Sequence, residues 1–337
     1  MLYCNLVYAV FAFLLLFRIK SHPFCEEPAF FSGFNKLRGL FALEIVVGHV
    51  VRYERSLLYP LGKFMIISVA FFFFVSAYGM TRSFHQKRNY LAHFLFPKCA
   101  GLIALAAIAY AHSLLCDLLS GRSMDLSCLL SGFFISTNWY IWELLFFYAL
   151  FYAVYRWIPR YRIAFIALVT AAGAVACYYA GLPQRYYSSA LAFPAGLFFY
   201  VRFDAVAAFL KSVPGKVATF LLTCAGLSSL AFGPDSAVGM VLLRNVMCLS
   251  GLILLACFLS RFTADNIFLK TLGKYSTEIY LYQFVFLRLT DGLLPYPIRI
   301  PAVIGLTFFS ALLLHPLNQL VRRSLSSFHD GKLANSP

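Results

Sequence analysis

Five stretches of the chain run for about 18 residues or more without a single Asp, Glu, Lys or Arg: Phe64 to Thr81, Cys99 to Cys116, Ile163 to Gln184, Val217 to Pro234 and Ile300 to Val321. Each has the length an α-helix needs to cross the hydrocarbon core of a bilayer, about 20 residues at 1.5 Å per residue. No water is available there to hydrogen-bond the backbone, so a spanning segment must satisfy itself as a helix or as part of a closed barrel. Barrel strands are only about 10 residues long and alternate in polarity, unlike these runs. Charged residues make up 12% of the 337 positions, about half the share in ordinary globular domains. The sequence therefore predicts an all-α fold, a polytopic transmembrane helical bundle.

About ten core spans are expected, over 36–53, 64–81, 97–116, 133–155, 163–182, 188–201, 217–233, 238–260, 272–290 and 300–321. With the first span entered from the cytoplasm, the inner segments 18–38, 82–98, 156–162, 202–216, 261–274 and 322–332 hold 20 of the 28 Lys and Arg residues. That is the bias of the positive-inside rule. A net charge of +15 is thus a matter of topology, and its dispersal into short clusters argues against a nucleic-acid partner. The expected location is integral to a membrane, with the lipid bilayer as a constant partner.

Residues 2–17 add one more apolar segment. No Lys or Arg precedes it and no Ala-x-Ala-like site follows, which disfavours a cleaved signal peptide. An extra N-terminal helix is expected instead, short for a span and followed by Arg18 and Lys20. The domain plan is an apolar helix and cytoplasmic linker over 1–33, a ten-helix membrane domain over 34–321, and a polar, disordered cytoplasmic tail over 322–337. Within the sixth span, Pro194 and Gly196 predict a broken or tilted helix. Phe71 to Phe74 reads as lipid-facing and packing surface. The nine cysteines include no Cys-x-x-Cys pair, so neither a disulfide framework nor a metal site is expected.

Few ionisable side chains fall well inside the spans: Glu44, His49, His112, Glu143, Arg244, Glu278 and His315. Such residues are costly in a bilayer and face protein or water. Arg38 and His49 are the most informative pair. Eleven residues at 100° each return to within about 20° of the starting direction, so both lie on one helix face about 16 Å apart. A guanidinium at the cytoplasmic end suits bidentate binding of phosphate, although an interfacial anchor would also place an arginine there. The imidazole, three turns deeper, can take a proton from a hydroxyl if a partner orients its other nitrogen; a plainer role is an interior histidine bonded to a carbonyl. Glu44, five residues before His49 and about 140° around the helix, is expected to pair with a neighbouring helix. Glu143 and Glu278 are the candidate orienting acids. His112 and His315 read as polar interhelical contacts, and Lys98, at a span edge, can snorkel to the interface.

Five motifs, in order, resemble those of the membrane-bound acyltransferase 3 family. Leu37-Arg-Gly-Leu-Phe-Ala-Leu-Glu-Ile-Val-Val-Gly-His49 is similar to the family's first-helix pattern of Arg-Gly, an apolar run and Gly-His. Phe72-Phe-Phe-Val-Ser-Ala-Tyr-Gly79 resembles its second helix, with Ala77 in place of a glycine. Asn138-Trp-Tyr-Ile-Trp-Glu-Leu-Leu-Phe-Phe-Tyr148, Ala192-Phe-Pro-Ala-Gly-Leu-Phe198 and Leu272-Gly-Lys-Tyr-Ser-Thr-Glu-Ile-Tyr-Leu281 resemble its fourth, sixth and late helices. The chain departs from the family pattern at His93-Phe-Leu-Phe-Pro-Lys98, where a denser basic cluster is usual, and at Gln283, where a histidine is usual.

The resemblance implies transfer of an acyl group, usually acetyl from acetyl-CoA as cosubstrate and with no bound cofactor, to a sugar hydroxyl of an envelope glycan, glycolipid or lipid-linked saccharide. It implies His49 as the catalytic histidine, with Glu143 or Glu278 orienting it, and Arg38 holding the anionic donor. Arg82 and Lys98 are further donor-binding candidates, while Ser76, Tyr78, Trp139 and Tyr280 are hydrogen-bonding candidates at the substrates. A carbohydrate acceptor and a separate envelope-glycan assembly partner are the expected partners. The alternative from a different class is a transporter or flippase for a lipid-linked sugar or small anion, with the intramembrane acids and histidines as proton or substrate sites.

Overall fold

The computed structural model describes residues 2–24, 26–51, 57–119, 121, 139–231 and 237–334. Its α-helices are α1 (Leu2–Leu16), α2 (Glu27–Val51), α3 (Tyr59–Gln86), α4 (Leu95–Leu119), α5 (Trp139–Trp157), α6 (Arg162–Tyr179), α7 (Ala192–Val201), α8 (Phe203–Lys211), α9 (Val213–Ala231), α10 (Ala237–Leu259), α11 (Ile267–Lys274), α12 (Ser276–Leu289) and α13 (Tyr296–Ala334). Two three-residue strands, β1 (Ile19–Ser21) and β2 (Phe262–Ala264), pair antiparallel with Lys20 opposite Thr263. The fold is all-α, as the charge-free runs require.

Five described helices are long and apolar enough to cross a membrane: Leu61–Gln86, Leu95–Leu119, Arg162–Tyr179, Gly239–Leu259 and Tyr296–Leu325. They coincide with five of the expected spans. The sixth span differs from its expectation. Pro194 falls in the first turn of α7, where a missing N–H costs no helical hydrogen bond, and the chain instead bends by 94° between α7 and α8. The ninth expected span, 272–290, is divided at Tyr275 between α11 and α12. Residues 52–53, 133–138 and 232–233 of other expected spans lie outside the described residues. The last helix continues to Ala334, so most of the tail expected to be disordered is helical.

The chain divides into two compact units, Met1–Gln86 with Ile158–Gly273, and Lys87–Trp157 with Lys274–Pro337. In the first, α2 and α3 pack antiparallel through aromatic contacts: Phe41 stacks on Phe71 at 4.1 Å, and Phe34 lies tilted 5.3 Å from Phe74, centroid to centroid. All four residues of Phe71 to Phe74 are buried. Four consecutive helical residues sweep about 300° of the helix circumference, so α3 is enclosed by protein on nearly every side there, and the lipid-facing half of the expectation is corrected. Helix α7 joins α3 at Gly196, whose missing Cβ lets it approach the Phe74 carbonyl and Ala77. Helix α10 meets α3 where Gly251 lies against Ile67. Small residues at such crossings let helices pack closely where lipid supplies no hydrophobic drive.

Helix α1 is tied to this unit by polar bonds at its end. Asn266 Nδ2 donates to the carbonyls of Leu14 and Phe17, both at 3.0 Å, and its Oδ1 caps the Leu269 N–H of α11. In the second unit, α12 and α13 pair, and α4 packs against both of them and against α5.

Candidate active site

Arg38 and His49 both stand on α2, and both are half-buried. The glycine next to each brings a neighbouring segment close. A Cβ on Gly39 would collide with the backbone of Leu272 and Gly273, and one on Gly48 would lie 3.1 Å from the Met65 Cβ. The Arg-Gly and Gly-His pairs therefore have a packing logic: the glycine admits a neighbour while the adjoining polar side chain points elsewhere. The Arg38 Nε is buried without a hydrogen-bond partner among the described residues. A buried guanidinium N–H with no acceptor suits a site that takes an anionic ligand.

Glu44 follows its sequence expectation. It is buried, and Ser68 of α3 donates a hydrogen bond to its Oε2. Asp265 sits between α2 and α11, 3.2 Å from Lys36 Nζ and 3.0 Å from Lys270 Nζ. Hydrogen bonds from Lys270, then Lys36, hold its carboxyl below the usual range.

Where the first turn of α2 meets the last turns of α3, two of the expected substrate-binding residues share one acid. Tyr78 donates to Glu27 Oε1 at 3.0 Å, and Arg82 Nε donates to the same oxygen at 3.1 Å. Phe31 stacks on Tyr78 at 5.1 Å, and the Arg82 guanidinium lies over the Phe31 ring at 5.2 Å. Ser76 is half-buried but stands two residues from Tyr78, about 200° around the helix, so it does not share the face of Tyr78 and Arg82. Sequence reasoning missed Glu27. Its signal was an acid in the first turn of a helix, favoured by the helix dipole, but it precedes the apolar run that marked the span.

The second unit holds the remaining candidates. Glu278 is buried, and His315 Nδ1–H donates to its Oε1 at 2.9 Å. Asn318 reaches the same oxygen at 3.4 Å and also donates to the Tyr282 hydroxyl at 3.0 Å, while Gln319 Nε2 donates to His315 Nε2 at 2.7 Å. His315 is thus an interhelical contact between α12 and α13, as expected, and Glu278 is its acid. His112 lies edge-on to Tyr282, 5.6 Å between centroids. Tyr280 packs edge-on against Tyr140 at 4.9 Å. Trp139 is buried at the first turn of α5, Lys98 is exposed at the first turn of α4, and Glu143 has a buried Oε2 with no partner among the described residues. Arg38, His49, Ser76, Tyr78 and Arg82 therefore belong to one compact unit, and Lys98, Trp139, Glu143, Glu278 and Tyr280 to the other.

A family model described as an acyltransferase domain matches residues 31–315. The chain belongs to the acyltransferase 3 family. The match begins on α2, seven residues before Arg38, and ends at His315. No curated protein and no solved structure was found to match the chain. Membership makes the protein an acyltransferase, and its long apolar helices make it an integral membrane protein. In this acyltransferase, two of the family-like motifs meet in space, because Gly39 of the first-helix motif packs on Leu272 and Gly273 of the late one. Two others meet where Gly196 packs on Phe74 and Ala77.

Proposed function

We propose that the protein is an O-acyltransferase that moves an acyl group, acetyl in the simplest case, from acyl-CoA to a sugar hydroxyl of an envelope glycan, glycolipid or lipid-linked saccharide. The observation that carries this reading is the placement of Arg38 and His49 on one face of α2, with the Arg38 Nε buried and without a partner among the described residues. Ten spans and a cytoplasmic Arg38 end, in a bacterial cytoplasmic membrane, accord with the distribution of Lys and Arg. Helices too short or too polar to cross alone would complete that count as parts of the bundle.

In the proposed reaction the neutral His49 imidazole takes the proton of the acceptor hydroxyl as its oxygen attacks the thioester carbonyl. The tetrahedral intermediate collapses with cleavage of the carbon–sulfur bond, and the departing CoA thiolate receives the proton from the imidazolium. Arg38 binds a donor phosphate, with Arg82 and Lys98 as additional cations on that side. Glu143 or Glu278 is proposed to orient His49; among the described residues the Glu143 Oε2 has no partner, whereas the Glu278 Oε1 accepts from His315 and Asn318. Ser76, Tyr78, Trp139 and Tyr280 are the proposed hydrogen-bonding groups for substrates and for the oxyanion, whose stabilisation such reactions require. A separate envelope-glycan assembly protein would supply or receive the acceptor.

The test is transfer of radiolabel from acetyl-CoA in membranes containing the full chain, wild type against His49→Ala. Label in a saccharide or glycolipid fraction is expected with wild type only. Equal labelling by both would remove His49 from the mechanism, and uptake without covalent transfer would overturn the reading.

A further inference from the structure

Arg244 is an intramembrane ionisable residue to which the mechanism gives no task. It lies five residues inside the apolar helix segment Gly239–Leu259, half-buried, and forms no hydrogen bond or ion pair among the described residues. An arginine in such a position normally has a carboxylate or carbonyl partner. Cys248, one turn further along α10, shares its face. The Cys248 thiol donates weakly to the carbonyl of Ser188 at 3.3 Å and approaches that of Ile66 at 3.8 Å. Asn245, the residue after Arg244, fixes the segment opposite by donating to the Tyr187 carbonyl at 2.7 Å and accepting from the Leu191 N–H at 3.0 Å.

That segment carries two buried hydroxyls. Ser188 and Ser189 are 0% and 1% exposed, and the Oγ of each is buried without a partner among the described residues. Leaving a buried hydroxyl unsatisfied costs about 1–3 kcal/mol, so two on consecutive residues, in the segment that Asn245 and Cys248 tie to the helix of Arg244, form a concentration of unmet donors among the described residues. An interfacial arginine reaching for lipid headgroups would account for Arg244 but not for the serines. The location is also specific. Gly48 packs on Met65, and the adjoining Ile66 carbonyl faces Cys248, so this cluster stands at the His49 end of the first unit. The Glu27, Tyr78 and Arg82 cluster stands at the other end of the α2–α3 pair.

We infer that Arg244, Ser188 and Ser189 form a subsite for an oxyanion, phosphate or carboxylate, carried by the acyl acceptor. The inference rests on the transfer reading above and narrows the acceptor to an anionic saccharide. Arg244 supplies charge and the two hydroxyls supply hydrogen bonds, so that the neutral sugar part of the acceptor extends toward His49 while the donor is held near Arg38.

Equilibrium binding to the purified full chain in phosphatidylcholine nanodiscs tests this, with tritiated farnesyl diphosphate as the phosphate probe and octyl β-D-glucuronide as the carboxylate probe. Wild type is expected to bind one of them, which identifies the oxyanion, and Arg244→Gln to weaken that binding about tenfold, the fold-change of one lost charge-assisted hydrogen bond. Ser188→Ala with Ser189→Ala should weaken it several-fold, Arg244→Lys less than Arg244→Gln, and His49→Ala not at all. If Arg244→Gln does not fold, as judged by gel filtration, the lysine and serine variants carry the test. Failure of wild type to bind either probe, or unaltered binding by the variants, overturns the subsite. Competition by phosphatidylglycerol as strong as by the probe would make it a bulk-lipid site and also overturn it. Continued acyl transfer by His49→Ala would instead sink the mechanism while leaving the binding result standing.

Discussion

Gly39 lies against Leu272 with no room for even a methyl group between the α2 and α11 backbones. The residue before Gly39 is Arg38, and the segment it packs on leads through Tyr275 into α12, so the first polar group of the candidate site is positioned by a backbone crossing more than 200 residues apart in sequence. Gly39→Ala is expected to lower stability by about 1–3 kcal/mol, the usual cost of overpacking against a backbone that cannot yield. Gly48→Ala, which meets the Met65 side chain, should cost less. Thermal unfolding in one detergent compares the two.

Arg38→Lys should impair donor binding more than its retained charge suggests, because the planar fork and the Nε donor are lost. The expected signature is a KM for acetyl-CoA raised about tenfold with kcat changed less. An unchanged KM would assign Arg38 to anchoring.

Glu27 joins Tyr78 and Arg82 at the far end of α2 and α3. A double-mutant cycle of Glu27→Gln and Arg82→Gln should give a coupling of about 1 kcal/mol in thermal stability, since the pair is mostly shielded from solvent. Additive effects would show that the ion pair contributes nothing.

Asp265 bridges Lys36 and Lys270 at the base of the first unit. Because those hydrogen bonds hold its carboxyl below the usual range, the stabilisation is complete above the ordinary aspartate value of about 4 and is lost as pH falls through the depressed folded-state value. Wild type should therefore lose stability relative to Asp265→Asn as the pH is lowered from about 5 to 3. Parallel melting curves for the two proteins across that range would contradict it.

Removing one partner of the Glu278–His315 pair leaves a buried polar group without compensation. His315→Ala is expected to destabilise the second unit by about 3 kcal/mol or more, and His315→Gln by less, because an amide can still donate to Glu278. Protease susceptibility of α12 and α13 in detergent reports on it.

What was legible in the sequence is what a short window encodes. Charge-free runs of bilayer length set the all-α fold, and the 100° rotation per residue put Arg38 and His49 on one face and turned Glu44 away from them, toward what proved to be Ser68. Partners distant in sequence were decided only by the tertiary structure. Glu27 reaches Arg82 across 55 positions and His315 reaches Glu278 across 37, and no hydropathy pattern distinguishes those acids from any others. The bend after Val201 and the break at Tyr275 likewise arise without a proline at either point. Hydrophobicity and helical period are properties of a chain segment, whereas the choice of which buried donor meets which acceptor is made when helices pack, because only then does an unsatisfied polar group incur its cost.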